Sequence, residues 1–121
     1  LLLAEQNLPP APPDSVGAAR LKKLLQRVED DCAAPLSVEQ AAAECGCSAS
    51  HFMRWFKKMT GTTFGVYLNE RRLATAAELL RTTDDTVLSI AEQAGFENLS
   101  NFSRRFKARY GVTPRQYRSM A

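Results

Sequence analysis

A stretch near the middle of the sequence repeats itself fifty positions later. Residues 50–67 and 100–117 share eight identities in a window of eighteen positions. The shared residues are Ser50, Phe52, Arg54, Phe56, Lys57, Gly61, Thr63 and Tyr67, with their counterparts Ser100, Phe102, Arg104, Phe106, Lys107, Gly111, Thr113 and Tyr117. A solenoid needs at least about three repeats to bury a continuous core. The repeat therefore predicts a single domain with two related lobes.

The similarity extends upstream into a short helix and a tight turn. Residues 42–46 match residues 91–95, and the second copy carries one extra residue in its turn. Gly46 is placed to adopt a left-handed conformation that ends a helix. Ser48 is placed to cap the next helix, which we expect to run to about Met59. A short helix, a turn with a glycine and a longer helix together form a helix-turn-helix unit.

The remaining apolar patterns also have helical spacing. Residues 16–31 carry an apolar stripe, and the run that starts at Ser37 has the form of a capping box. Residues 63–81 have the pattern of one long helix whose apolar stripe changes sides, with Leu68 near one face and Leu73 near the opposite face. Such a helix can serve two cores. The predicted fold is all-α, with about seven helices and two helix-turn-helix subdomains joined by this linker helix.

The start of the chain has a different character. The segment Pro9–Pro13 predicts a stiff spacer, because proline lacks an amide donor and restricts the residue before it. Since the sequence starts without an initiator methionine, we expect residues 1–15 to be the tail of an upstream domain and a linker. The expected domain is 16–121, divided into a first helix-turn-helix unit (16–62), the linker helix (63–81) and a second unit (82–121).

The second helix of each unit has two distinct faces. In the first unit the predicted core stripe is Phe52, Trp55, Phe56 and Met59, and the opposite stripe is Ser50, Met53, Arg54 and Lys57. In the second unit Ser100, Ser103, Arg104 and Lys107 lie opposite Phe102 and Phe106. Short polar groups with cations suit the base edges and phosphates of a major groove. For either helix alone, the alternative is an ordinary solvated face. Because the same outward pattern of polar and basic residues occurs on both helices, a shared function is favoured.

Basic charge is concentrated in the second part of the chain. Residues 1–50 carry four Lys/Arg and seven Asp/Glu, whereas residues 51–121 carry twelve and six, so the net charges are −3 and +6. This asymmetry is compatible with nucleic-acid binding and equally with an ordinary solvated surface. Charge alone therefore leaves both interpretations open.

Metal binding and catalysis find little support in the sequence. The three cysteines Cys32, Cys45 and Cys47 could form a zinc site with the single histidine, His51, but C-x-C is unlike the usual zinc spacing and buried thiols are common. We therefore predict no metal and no other cofactor. The sequence has no phosphate-cradling glycine loop and no Ser-His-Asp set, so no enzyme is predicted. No run approaches the 18 or so apolar residues of a membrane span.

Three motifs in the second half carry a family resemblance. They are Ser89–Phe96 (SIAEQAGF), Asn101–Lys107 (NFSRRFK) and Gly111–Arg118 (GVTPRQYR). With these motifs the sequence resembles the C-terminal DNA-binding domain of the AraC/XylS family of bacterial transcription regulators, from about Ala18 to Met120. The resemblance implies two helix-turn-helix units on a rigid linker helix, with recognition helices that enter successive major grooves.

The resemblance also implies specific roles for the exposed stripes. The expected base-reading residues are Ser50, Met53, Arg54, Leu99, Ser100, Ser103 and Arg104. The expected phosphate contacts are Lys57, Lys58, Lys107 and Arg109. Met53 and Leu99 replace polar residues at these places, so contact with a thymine methyl is the expected role there.

Two functional classes follow from these observations. The first is sequence-specific binding of double-stranded DNA for transcription regulation, in the cytoplasm and associated with the nucleoid. Its expected partners are RNA polymerase and an absent N-terminal sensing or dimerisation domain, with no membrane. The alternative is an all-helical protein-interaction module whose basic surface is incidental. A salt titration of DNA binding separates the two classes.

Overall fold

The structure is a computed structural model of the chain and describes residues 15–121. Within that range it contains seven α-helices and no strand. They are α1 (Ser15–Asp30), α2 (Val38–Glu44), α3 (Ala49–Thr60), α4 (Phe64–Thr82), α5 (Val87–Gln93), α6 (Leu99–Tyr110) and α7 (Pro114–Met120). The predicted all-α fold is confirmed. The proline-rich spacer and the upstream tail fall on residues 1–14, which lie outside the described residues.

The chain divides into two compact units. The first ends at Leu68 and includes α1, α2, α3 and the start of α4, whereas the second consists of Cys32–Ala34 and Asn69–Ala121. The long helix α4 therefore begins in the first unit and continues in the second. Leu68 is 8% exposed and Leu73 is 1% exposed, so both predicted sides of the apolar stripe are buried. The subdivision of the domain at residues 62 and 81 stays a prediction.

Aromatic rings form the centre of the first unit. Phe52 and Phe56 of α3 are fully buried, and the ring of Phe64 at the start of α4 lies 5.4 Å from each of theirs. Burying a side chain of this size contributes about 1.5–3 kcal/mol. These contacts fix which face of α3 points inward, and the opposite face is left for solvent or a partner.

Met59 does not belong to this core, although its spacing predicted so. The side chain is 40% exposed, whereas Trp55 on the same stripe is 6% exposed. Met59 lies in the last turn of α3, just before Gly61 ends the helix in a left-handed conformation. The ring contacts of the core are made by Phe52 and Phe56, in the preceding turns. The last turn of α3 therefore lies outside the aromatic cluster, and the core assignment of Met59 was wrong.

The second unit has one contiguous apolar core. Its buried members come from α4, α5 and α6 and from the turn after α5: Leu73, Ala76, Ala77, Leu80, Ile90, Ala91, Ala94, Phe102 and Phe106. Helix α7 closes the core through Tyr117, whose ring meets that of Phe106 edge-on at 5.4 Å. Arg118 of the same helix donates to the carbonyl oxygens of Leu80 and Thr83, at 3.3 and 3.2 Å. These bonds satisfy one carbonyl group in the last turn of α4 and one just after the helix, where intrahelical partners are missing.

The turns of the two helix-turn-helix units follow one plan. Gly46 and Gly95 follow the C-caps of α2 and α5 and have positive φ angles of 75° and 99°. Four residues separate α2 from α3, whereas five separate α5 from α6, so the predicted extra residue is present. The predicted capping box of α2 is also present, with Ser37 and Gln40 exchanging two hydrogen bonds of 2.8 and 3.0 Å.

Candidate nucleic-acid interface

Helix α3 presents a polar and basic stripe to solvent. Its start is fixed by Ser48, whose hydroxyl oxygen accepts a 3.2 Å hydrogen bond from the backbone N–H of His51. The buried faces of Phe52 and Phe56 fix its rotation about its own axis. The predicted stripe is exposed along its whole length: Ser50, Met53, Arg54 and Lys57. Met53 is 49% exposed, so an apolar group lies among these polar neighbours.

Helix α6 presents the equivalent stripe in the second unit. Asn98 caps it by accepting a 2.7 Å hydrogen bond from the backbone N–H of Asn101. The capping residue differs from Ser48, but its side chain also accepts from the backbone N–H three positions further on. The buried rings of Phe102 and Phe106 again set the rotation of the helix. The exposed side chains are Leu99, Ser100, Arg104 and Lys107, and Ser103 is half-buried.

The structure thus brings the predicted base-reading residues together in two groups, one on each helix. The side chains of Arg54 and Arg104 are exposed and make no hydrogen bond or ion pair with any part of the chain that the structure describes. Both guanidinium groups are therefore available to a partner, and the two parallel N–H donors of each match the O6 and N7 acceptors on the edge of a guanine. Their assignment to particular bases stays a prediction.

The predicted phosphate contacts are of two kinds. Lys57, Lys58 and Lys107 are exposed and have no ion pair within residues 15–121. Arg109 is different, because its Nε–H donates to both carboxylate oxygens of Glu70 at 3.1 Å. This hydrogen bond, with the adjacent negative charge, raises the pKa of Arg109.

Glu70 is the residue of this surface that the sequence did not reveal. It lies on α4, 39 positions before Arg109, and a separation of that length leaves no periodic signal. Arg105 was also not singled out. Its Nε–H donates to the Asn101 side chain at 2.8 Å, an i, i+4 spacing that could have been found in the sequence.

The cysteines lie apart from these stripes. Cys45 and Cys47 are buried in the first unit and Cys32 is buried in the second, all as free thiols. Burial raises the pKa of Cys45 to about 11, which disfavours its thiolate form. Metal binding needs the thiolate. Across the described part of the chain, no three His, Cys, Asp or Glu residues are grouped to hold a metal ion.

Two units of this construction, each with an exposed stripe on its second helix, define a helix-turn-helix protein. Comparison with protein families agrees, since the family described as "Helix-turn-helix domain" matches residues 41–120. Within residues 15–121, no helix is long and apolar enough to span a membrane.

Known proteins narrow the class further. The multiple antibiotic resistance protein MarA of Escherichia coli is 35% identical over 101 residues, which cover 84% of this chain and 80% of MarA. The DNA-binding domain of the transcriptional factor AdpA, solved with a target DNA, superimposes on this chain with a TM-score of 0.80 at 27% sequence identity. The matched region covers 84% of this chain and 91% of the AdpA domain. An AraC-type regulator from Chromobacterium violaceum has a TM-score of 0.76 at 28% identity. The match covers 88% of this chain and 96% of that regulator's chain.

The chain therefore belongs to the AraC/XylS family of helix-turn-helix transcription regulators, as the motifs in its second half indicated. The family and the fold are those of DNA-binding domains of transcription regulators and not those of enzymes.

Proposed function

We propose that this chain binds double-stranded DNA sequence-specifically and regulates transcription, with α3 and α6 entering successive major grooves. The observation that carries the proposal is the repeated exposed stripe. Arg54 and Arg104 occupy equivalent positions, and each is flanked by two fully buried phenylalanines. A solvated face has no reason to keep the same residue at three of four positions, whereas two helices with the same task do.

The proposed readout divides the stripe residues by chemistry. Arg54 and Arg104 donate two hydrogen bonds each to guanine O6 and N7, the commonest specific contact in the major groove. The hydroxyl groups of Ser50, Ser100 and Ser103 bind base edges as donors or acceptors. Met53 and Leu99, which are 49% and 39% exposed, contact thymine methyl groups. The two apolar side chains then add selectivity for A·T pairs at their positions.

The lysines supply affinity without selectivity. Lys57 and Lys107 follow the last buried phenylalanine of each recognition helix, and Lys58 lies next to Lys57. Each lysine that neutralises a phosphate contributes ~0.9 to the slope of log K against log[salt]. These three contacts alone therefore give a slope of about −3.

The proposal includes the setting in which the domain acts. A regulator that binds promoter DNA reaches its output through RNA polymerase, and we place this domain in the cytoplasm on the nucleoid. The family resemblance supports a separate N-terminal domain for sensing or dimerisation. Transcription in vitro from a selected site, with and without the chain, tests the link to RNA polymerase.

The central test is DNA binding by the purified chain, in two measurements. Selection from a random duplex library should return a site with two groups of specified base pairs. A titration of the selected duplex against salt should give a steep negative slope, and mixed-sequence DNA should bind more weakly at every salt concentration. A slope near zero, or a library that returns no preference, would leave the protein-interaction module as the better explanation.

A further inference from the structure

The ion pair between Arg109 and Glu70 connects the end of a recognition helix to the linker helix. Arg109 lies in the last turn of α6, and Glu70 lies on the part of α4 that belongs to the second unit. The Nε atom of Arg109 lies 3.1 Å from each carboxylate oxygen of Glu70 and donates its hydrogen to them. Both side chains are about half exposed, at 49% and 45%. The pair therefore joins two helices of the same unit at its surface.

The position of Arg109 on α6 separates it from the exposed stripe of that helix, which we call the reading stripe and which contains Ser100, Arg104 and Lys107. At 100° per residue, Arg109 lies about 180° from Ser100, whereas Arg104 and Lys107 lie within about 40° of Ser100. The guanidinium group also lies over the ring of Tyr110, with 5.0 Å between Cζ of Arg109 and the ring centroid. An arginine that faced the phosphates beside the stripe would lie near Lys107 instead.

A chain of contacts connects this ion pair to the core beneath α6. The ring of Tyr110 lies 4.6 Å from that of Phe106, which is fully buried, and 5.4 Å from that of Tyr117 on α7. Glu70, Arg109, Tyr110 and Phe106 therefore connect α4 to the part of α6 that sets its rotation. A displacement of Arg109 would therefore change the rotation of α6 and, with it, the orientation of the reading stripe.

Among the described residues of the first unit, the equivalent position of α3 has no counterpart of this pair. The residue fifty positions before Arg109 is Met59, which is 40% exposed, and the residue equivalent to Tyr110 is Thr60. The last turn of α3 therefore lacks the charged anchor that fixes the last turn of α6. The anchor is a particular property of the second unit.

We propose that Glu70 and Arg109 are positioning residues that hold α6 in its reading orientation, and that Arg109 acts on base preference through this ion pair rather than through a phosphate. The inference rests on the proposed DNA-binding function and names a further determinant of its specificity. It replaces the sequence-based prediction of a phosphate contact at Arg109.

The two roles for Arg109 predict opposite results for Glu70→Gln. If the pair positions α6, Glu70→Gln and Arg109→Gln both lower affinity for the selected duplex, by about two- to fivefold for an exposed ion pair. Affinity for mixed-sequence DNA and the salt slope then stay nearly constant. If Arg109 instead contacts a phosphate, Glu70→Gln frees the guanidinium and strengthens binding to all DNA. Arg109→Gln would then weaken binding to all DNA and reduce the salt slope by about one.

The deciding experiment compares the two single variants with the double charge reversal Glu70→Arg, Arg109→Glu. Affinities for the selected and the mixed-sequence duplex are measured at several salt concentrations. The proposal expects the ratio of the two affinities to fall in both single variants and to recover in the charge reversal. An unchanged ratio in either single variant, or no recovery in the reversal, overturns it. Glu78→Gln on α4 and Arg115→Gln on α7, both at exposed positions, are the matched controls for loss of one charge.

Amide hydrogen exchange without DNA tests the pair independently of the proposed function. Protection of the last turn of α6, residues 107–111, should fall in Glu70→Gln and Arg109→Gln and should return in the charge reversal. If the wild-type chain binds no DNA but the variants show this pattern of exchange, the proposed function fails and only the contact between α4 and α6 survives. Unchanged exchange in both single variants overturns the positioning role, whatever the DNA result.

Discussion

Arg54 and Arg104 occupy the same place on two different helices, each two residues after one fully buried phenylalanine and two residues before another. The buried rings aim both guanidinium groups away from the core of their own unit. This equivalence leads to the first prediction. Replacing either arginine by alanine should cost about 1–3 kcal/mol of binding free energy and relax the preference at one base pair.

Selections on the wild type and on each arginine variant measure this effect. In the proposed arrangement the two affected base pairs differ, and each variant keeps the preference that the other loses. The acidic first half of the sequence makes α3 the weaker reader if only one helix dominates. An unchanged base preference for Arg104→Ala, at any affinity, would remove the base-reading role from Arg104.

The second prediction concerns Lys57, which should contact a phosphate. Lys57→Ala should weaken binding to the selected and the mixed-sequence duplex by the same factor and reduce the salt slope by about 0.9. A phosphate contact positions the protein without reading a base, so the selected sequence should stay the same. Salt titrations on both duplexes check this, and a change confined to the selected duplex would argue for base contact.

The repeat and the periodicity were enough to predict the helices and the outward stripes. Capping signals at Ser37 and Ser48 and the left-handed glycine at Gly46 act within a few residues, so the sequence shows them directly. The exposure of Met53 follows from its place on the outward stripe of α3. Leu99 is different: as the first residue of α6 it is 39% exposed, although its spacing of three and seven residues from the buried Phe102 and Phe106 puts it on their side of the helix. Local rules therefore predicted the construction of each unit.

Contacts between distant segments were not predictable in this way. The segment Cys32–Ala34 belongs to the second unit, where Arg72 donates to the carbonyl oxygens of Cys32 and Ala34 at 2.6 and 3.2 Å. Glu70 likewise finds Arg109 across 39 positions. No spacing rule connects such residues, because their proximity depends on how the helices pack.

The third prediction tests whether α4 serves two cores. Leu68→Ala should destabilise the first unit and Leu73→Ala the second, each by about 2–4 kcal/mol, since both side chains are buried. Hydrogen exchange resolved by helix should show lost protection in α3 for the first variant and in α5 and α6 for the second. Val66→Ala, at a position on α4 that is 52% exposed, is the control. Equal loss in both units for both variants would contradict the division.

The fourth prediction compares two glycines with similar backbone conformations. Gly95 and Gly111 have φ angles of 99° and 82°, and a non-glycine residue in a left-handed conformation costs about 1–2 kcal/mol. A Cβ atom on Gly95 would lie 2.8 Å from Cα of Ala33, whereas a Cβ on Gly111 would meet nothing within 4 Å.

Gly95→Ala should therefore destabilise the second unit clearly more than Gly111→Ala, because the backbone at Ala33 cannot move aside as a flexible side chain would. Denaturant unfolding of the two variants, followed by helix-resolved hydrogen exchange, gives the comparison. Equal destabilisation would mean that the segment Cys32–Ala34 yields to the added methyl group.

The last prediction concerns the pH dependence of stability in the first unit. Burial raises the pKa of the Cys45 thiol to about 11 from an ordinary 9.0, the nearby Cys47 thiol adds to the shift and Arg20 opposes it. The unfolded chain therefore loses this proton at a lower pH than the folded chain does. The resulting stabilisation is fully present below about pH 9 and is lost as the pH rises towards 11.

Unfolding free energies of the wild type and Cys45→Ala should accordingly converge between these two pH values. All other ionisable side chains are common to both proteins, so the difference between the two curves reports on Cys45. A constant difference from pH 8 to 11 would show that the thiol ionises as easily in the folded chain as in the unfolded one.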